Sequence, residues 1–262
     1  MTARIRRNPH LKYHLIMGGH KLTLPVPSTV HRAMPDVQKG LVATTDYTQF
    51  SEPFAMLGEV NSCENILDTY LSTYHVLENY MIRREVTSVF SNSTGRSFQR
   101  VRDFKRLGQQ TDDKEIAHLN KLFSKSWEIM IGECRLQETL EQSFEDARAN
   151  DAWDNDSFDD FLKHLGLQNG GGNPVTLSHG FHNQMQVKKN FPKLVYAIRC
   201  SIVHNKATEF HLSNEELRRN SIIALVIERI CLPVMYRLAF GLPSSAPEDN
   251  PIHYPQRELM FY

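Results

Sequence analysis

Cysteine is scarce in this chain of 262 residues. Cys63, Cys134, Cys200 and Cys231 are far apart and form no CxxC pair. That excludes a thiolate zinc site or a disulfide framework as the organising device. Long hydrophobic runs are missing too. The most apolar stretch, Ile222 to Tyr236, is interrupted by Glu228, Arg229 and Pro233, so it reads as a core helix and not as a membrane span. Net charge is absent, with 30 Lys and Arg against 30 Asp and Glu, and this excludes a generic polyanion binder. Met1 leads into the polar TARIRRNPH, without the apolar core of a signal peptide. A cytoplasmic protein that makes no membrane contact is therefore expected. No internal repeat is visible.

Two segments look like ligand loops but lack essential parts. Gly170-Gly171-Gly172-Asn173-Pro174 has no strand before it and is too short for a phosphate-binding fingerprint. Asp154-Asn155-Asp156 lacks the Gly and Glu that a calcium loop needs at its sixth and twelfth positions. His10, His14, His20 and His31 share no helical face. No metal and no other cofactor is expected.

What is present is helical periodicity. Ile66, Leu67, Tyr70, Leu71, Tyr74, Leu77, Met81 and Val89 recur at three- and four-residue steps, which predicts a helix over 61–90. Residues 111–150 predict a second long helix, with an acidic first turn and Gly132 as a kink. Ser157 as N-cap with Asp160 three residues on predicts a short helix to Leu165. Ser213-Asn214-Glu215-Glu216 reads as a capping box opening a last long helix, apolar almost all round from Ile222 to Leu238. Such a helix is central, or it faces both the core and a partner. Residues 1–58 differ: two apolar stretches flank Gly18-Gly19, the signal of a two-residue hairpin, and an irregular Pro-containing arm follows. The expected architecture is all-α, an up-and-down bundle of four long helices over 59–262 with an extended C-terminal tail, carrying a small arm over 1–58.

Charge is unevenly placed along the balanced chain. Residues 111–180 hold 6 basic against 14 acidic residues, whereas 1–110 hold 14 against 9. The densest positive run is Arg96, Arg100, Arg102, Lys105 and Arg106, with Phe98 and Phe104 between them. Cations interleaved with aromatics suit RNA phosphates and unstacked bases; a solvated surface turn would look the same.

One stretch concentrates the chemistry: FPKLVYAIRCSIVHNKATEFHLS, from Phe191 to Ser213. Pro192 suits a first helical turn, and Leu194, Val195, Ile198, Ile202 and Val203 give one buried face. Arg199 sits in that apolar helix, His204 follows five residues on, and Asn205 and Lys206 come next. Five residues span about 7.5 Å of rise and about 140° of rotation, so an Arg and a His near a helix end can converge on one cleft. A guanidinium fits phosphate oxygens and an imidazole titrates near neutrality. The spacing alone is weak, since Arg4 with His10 and Arg7 with His14 fit it as well. The alternative is a half-buried Arg paired with a carboxylate and a His satisfied in the core.

YAIRCSIVHNKATEFHLS resembles the motif helix of the HEPN domains, all-α ribonucleases of prokaryotic toxin–antitoxin and phage-defence systems marked by Arg-x(4–6)-His. The resemblance implies Arg199 and His204 as the catalytic pair, with Ser201 and Asn205 as supporting polar residues. It implies Glu78, on the first long helix, as the carboxylate that orients Arg199. RNA contacts fall to Lys206 and to Arg96, Arg100, Arg102 and Arg106. The activity implied is metal-independent RNA cleavage to 2′,3′-cyclic phosphate ends, by a homodimer formed through the motif helix, with an antitoxin or defence protein as a further partner. Cys200 stands where Asn is commonest directly after the Arg. That departure keeps a second reading open, an inactive HEPN module serving as an interaction or nucleotide-binding scaffold.

Overall fold

The computed structural model describes residues 9–29, 34–41, 47–91, 114–177, 184–203, 210–246 and 250–253. Among them the protein is all-α apart from one pair of two-residue strands. The helices are α1 (Pro9–Met17), α2 (Pro35–Lys39), α3 (Ser51–Ser62), α4 (Ile66–Ser91), α5 (Glu115–Ser126), α6 (Leu136–Arg148), α7 (Asn155–His164), α8 (Gln184–Val203), α9 (Asn214–Arg219), α10 (Ser221–Leu225) and α11 (Leu232–Gly241). No described helix is long and apolar enough to cross a membrane.

The axis of the fold is α4, whose 26 residues span about 39 Å. Asn65 begins it by accepting a hydrogen bond from the backbone N–H of Asp68 at 2.9 Å. Ile66, Tyr70, Tyr74, Leu77, Tyr80 and Met81 are among its buried residues. A buried phenol needs an acceptor, and two of these fasten α4 to its neighbours. Tyr70 donates to the Val195 carbonyl of α8 at 2.8 Å, and Tyr80 to the Ala239 carbonyl of α11 at 2.6 Å. Helix α5 lies against both α4 and α8, held to α8 by the Phe123, Trp127 and Phe191 rings at 5.1–6.0 Å between centroids.

The predicted helix over 111–150 is two helices. Between α5 and α6 the chain forms a tight hairpin, β1 (Met130–Ile131) antiparallel to β2 (Cys134–Arg135). Gly132 turns it in the left-handed region at φ 64°. The hairpin is fastened from outside: Asp36 accepts from the Glu133 backbone N–H at 3.3 Å, and Arg237 donates to the Ile131 carbonyl. Those long-range bonds win over the helical periodicity of the segment. Glu138 then starts α6 by accepting from the Arg135 N–H at 2.9 Å.

The predicted N-terminal hairpin is instead the end of α1. Gly19 has φ 75°, its N–H bonds to the Ile16 carbonyl at 2.9 Å, and the His20 N–H bonds to the Leu15 carbonyl at 2.9 Å. That is a Schellman closure; Gly-Gly supplies a positive φ to a helix end as readily as to a hairpin. The following arm is clamped from several sides. Its Val26 and Ser28 pair with the 64–66 turn, Arg218 donates to the Leu24 and Pro25 carbonyls at 2.9 Å, and the Thr29 hydroxyl donates to Glu228 at 2.7 Å. Helix α3 runs across residue 58.

Three further elements differ from expectation. The motif helix α8 starts at Gln184, so Pro192 lies inside it, not in its first turn. The cap of α7 is Asp154, which accepts from the Ser157 N–H at 2.8 Å. Ser213 caps only the short α9; Asn220 breaks the chain and caps α10 by accepting from the Ile222 N–H at 3.3 Å.

From 221 to 241 one helical rod contains a π segment, Val226–Cys231. It precedes Pro233, whose ring would clash with the carbonyl four residues back and which has no N–H to give; widening the helix relieves that conflict. Val226, Ile227, Ile230, Leu232, Val234, Met235 and Leu238 are all fully buried. Each contributes about 1.5–3 kcal/mol of burial. The apolarity of this rod is thus met by the chain's own core, the central placement of the two that its sequence allows.

Candidate functional site

Arg199 stands in the second-last turn of α8. The buried face of that helix, Leu194, Val195 and Ile198, directs Arg199 toward the seam between α4 and α5. There its Nη2 lies 3.3 Å from Glu78 of α4 and its Nε 3.7 Å from Glu115 of α5. Tyr74, one turn before Glu78, presents its ring 5.6 Å from the guanidinium carbon and donates its hydroxyl to Glu115 at 2.7 Å. Arg199 is 18% exposed, and each carboxylate 31%.

Two carboxylates around one cation shape the titration. Burial raises the Glu78 carboxyl most; His75 and Arg199 oppose it, Glu115 adds to it, and the net shift is upward. Burial works against the Arg199 charge, but Glu115 and Glu78 outweigh it, so the guanidinium stays cationic. Burial and the bond to Glu115 push the Tyr74 phenol far up, and it remains a donor. The site is a fixed guanidinium held along its Nε–Nη2 edge.

The polar seam continues two turns along the same pair of helices. Glu85, only 3% exposed, accepts from Arg84 at 2.6 Å and meets His118 Nδ1 at 3.1 Å. Glu78 and Glu85 are seven residues apart on α4, and Glu115 and His118 three apart on α5, so each pair shares one face.

On the neighbouring face of α8 a cleft of about 560 Å3 opens, lined by Lys193, Tyr196, Ala197 and Cys200. Its opposite wall is His164 and Phe210, with Ile116 at its edge. Cys200 bonds to the Tyr196 hydroxyl, and burial first, then that bond, pushes the phenol up to about 12. Ser201 is turned back into its own helix, donating to the Ala197 carbonyl at 2.9 Å. Its carbonyl accepts from the Leu212 N–H at 2.8 Å, which ties the following chain to α8.

Of the residues singled out from sequence, Arg199 and Glu78 are brought together and Ser201 lies two positions away on α8. His204, Asn205, Lys206, Arg96, Arg100, Arg102 and Arg106 fall outside the described residues. Sequence reasoning missed Glu115, which looked like an ordinary acidic first turn, and Tyr74, which looked like core. It also missed Lys193, Tyr196, His164 and Phe210 as walls of one cleft. The spacing of Lys193, Tyr196 and Cys200 marks one face of α8; nothing in the sequence marks the opposite wall. No family model, curated protein or solved structure matches the chain.

Proposed function

We propose that this protein is a metal-independent endoribonuclease of HEPN-like type, with Arg199 and His204 as its catalytic pair. The observation that supports this reading is the clamp on Arg199. Glu78 and Glu115, on two different helices, fix a guanidinium five residues before His204 in the chain. Fixed donors act on developing charge without reorganising during the reaction.

In this reading His204 removes the proton of a ribose 2′-OH, and the oxygen attacks the adjacent phosphorus. Arg199 stabilises the charge on the pentavalent phosphorus through its Nη1 edge. The P–O5′ bond breaks and the 5′-oxygen takes up a proton, leaving a 2′,3′-cyclic phosphate and a 5′-OH. One His serves as base and a second is needed as acid, so the reading includes a homodimer in which two motif helices face one cleft. Ser201 and Asn205 support the helix end, while Lys206 and the 96–106 segment hold the RNA backbone. A role in phage defence or in a toxin–antitoxin pair, with a restraining partner protein, belongs to the same proposal.

The second reading is an inactive module of the same type, acting as an interaction or nucleotide-binding scaffold. Two carboxylates on one guanidinium favour it, because together they outweigh the positive charge offered to a phosphate. Incubation with RNA in EDTA separates the two. Cleavage by wild type, abolished in both His204→Ala and Arg199→Lys with unfolding unchanged, supports the nuclease; an ammonium does not reproduce the guanidinium fork. Intact RNA with wild type leaves the scaffold.

A further inference from the structure

The cleft beside Arg199 has features that the clamp does not use. Three rings border it: Tyr196, His164 and Phe210. Phe210 is held by an edge contact with Phe161 at 6.2 Å and by the His164 ring at 5.8 Å, so it is a supported platform. Lys193 is the cation on the wall, and no carboxylate appears among the described lining residues. Its ammonium donates to Asn190 at 3.1 Å, which uses one of three protons. The Nδ1 of His164 lies 2.7 Å from the Asp160 carbonyl; a carbonyl only accepts, so Nδ1 carries the proton. Nε2 is then an acceptor when the ring is neutral. The volume, about 560 Å3, is that of a small-molecule site.

We propose that this cleft takes one unstacked base of single-stranded RNA, with Lys193 on an adjoining phosphate. This rests on the reading of Arg199 as a phosphate ligand, since Cys200 on the cleft wall is its neighbour in the chain. Every base has a π-face for a ring platform, and a neutral heterocycle is the ligand that an aromatic wall without carboxylates favours. His164 Nε2 accepts from a base N–H. The polymer partner is thereby a strand whose bases are free to splay, and not a duplex.

The test uses a fluorescently labelled tetranucleotide with 2′-O-methyl groups, which cannot be attacked, titrated by anisotropy in EDTA. Ala197→Leu fills the cleft without removing any ring, and Phe210→Leu removes the platform. Each is expected to weaken binding at least about tenfold, and Lys193→Gln to weaken it and flatten its salt dependence, with thermal unfolding unchanged in Ala197→Leu and Lys193→Gln. Cleavage of ordinary RNA is followed in parallel. Wild-type affinity in all three variants overturns the base site, even where Arg199- and His204-dependent cleavage persists. Loss of binding in Ala197→Leu alongside a wild type that cuts nothing keeps the base site and overturns the nuclease. A wild type that does not bind the tetranucleotide overturns the base site, and the parallel cleavage assay alone then decides the nuclease.

Discussion

Arg199 Nη2 lies 3.3 Å from Glu78 Oε1, although 121 positions of chain separate them. Glu115 completes the clamp from α5, so three helices meet at one guanidinium. Two carboxylates share the one cation, and burial decides how Glu78 titrates.

Glu78 has a carboxyl raised above its ordinary value of about 4.3, by burial first. Its ionised form is thus less favoured in the folded than in the unfolded chain. Stability from this group is fully present below about pH 4.3 and lost as pH rises through the raised value. Glu78→Gln should match wild type in mild acid and be equally or more stable at about pH 7. Thermal melts across that range check it; a Gln variant less stable only at neutral pH would show that the ion pair outweighs burial.

Asp36 behaves oppositely. Burial raises its carboxyl, but the bond from Arg237, the Glu133 N–H and the Arg237 charge together leave it lowered. Its stabilisation is present above the ordinary value of about 3.9 and lost as pH falls through the lowered one. Arg237, 11% exposed and 2.5 Å from Asp36, is left short of a charged acceptor in Asp36→Asn. The variant should lose about 2 kcal/mol at neutral pH, measured by urea unfolding, and converge on wild type in strong acid.

Two glycines are held by space. A Cβ at Gly132 would collide with the Asp36 carboxylate, at a φ of 64° that already disfavours one; at Gly241 it would collide with the Ile131 side chain. Gly241→Ala should cost about 1–3 kcal/mol by overpacking. Gly241→Ala combined with Ile131→Val should recover little, because the offending Cγ2 survives, whereas combination with Ile131→Ala removes the clash. Denaturant midpoints of the single and double variants decide it.

If the 96–106 segment lines the RNA path, changing Arg100, Arg102 and Arg106 together to Gln weakens RNA binding. It should also reduce the slope of log affinity against log salt by about 3. An unchanged slope returns the segment to a solvated turn.

Helical periodicity was readable from the sequence wherever the apolar step was long and regular. Ile66 through Met81 form the buried face of α4, and Leu194, Val195 and Ile198 that of α8, as their spacing requires. The Ile222–Leu238 rod is central for the same reason. Local signals failed where one residue type serves two geometries: Gly18-Gly19 closes a helix because the Leu15 and Ile16 carbonyls are there to be capped. They failed again at 127–135, where Asp36 and Arg237 hold a hairpin within a helical pattern. Arg199 was conspicuous as a cation in an apolar helix, and Glu78 as a carboxylate in an apolar pattern. That Glu115 shares the guanidinium, and that His164 and Phe210 face Lys193 and Tyr196 across a cleft, only the packing of α4, α5, α7 and α8 decided. Periodicity along one helix records which face is buried. A pairing between helices depends on their approach, and residue spacing carries no term for that.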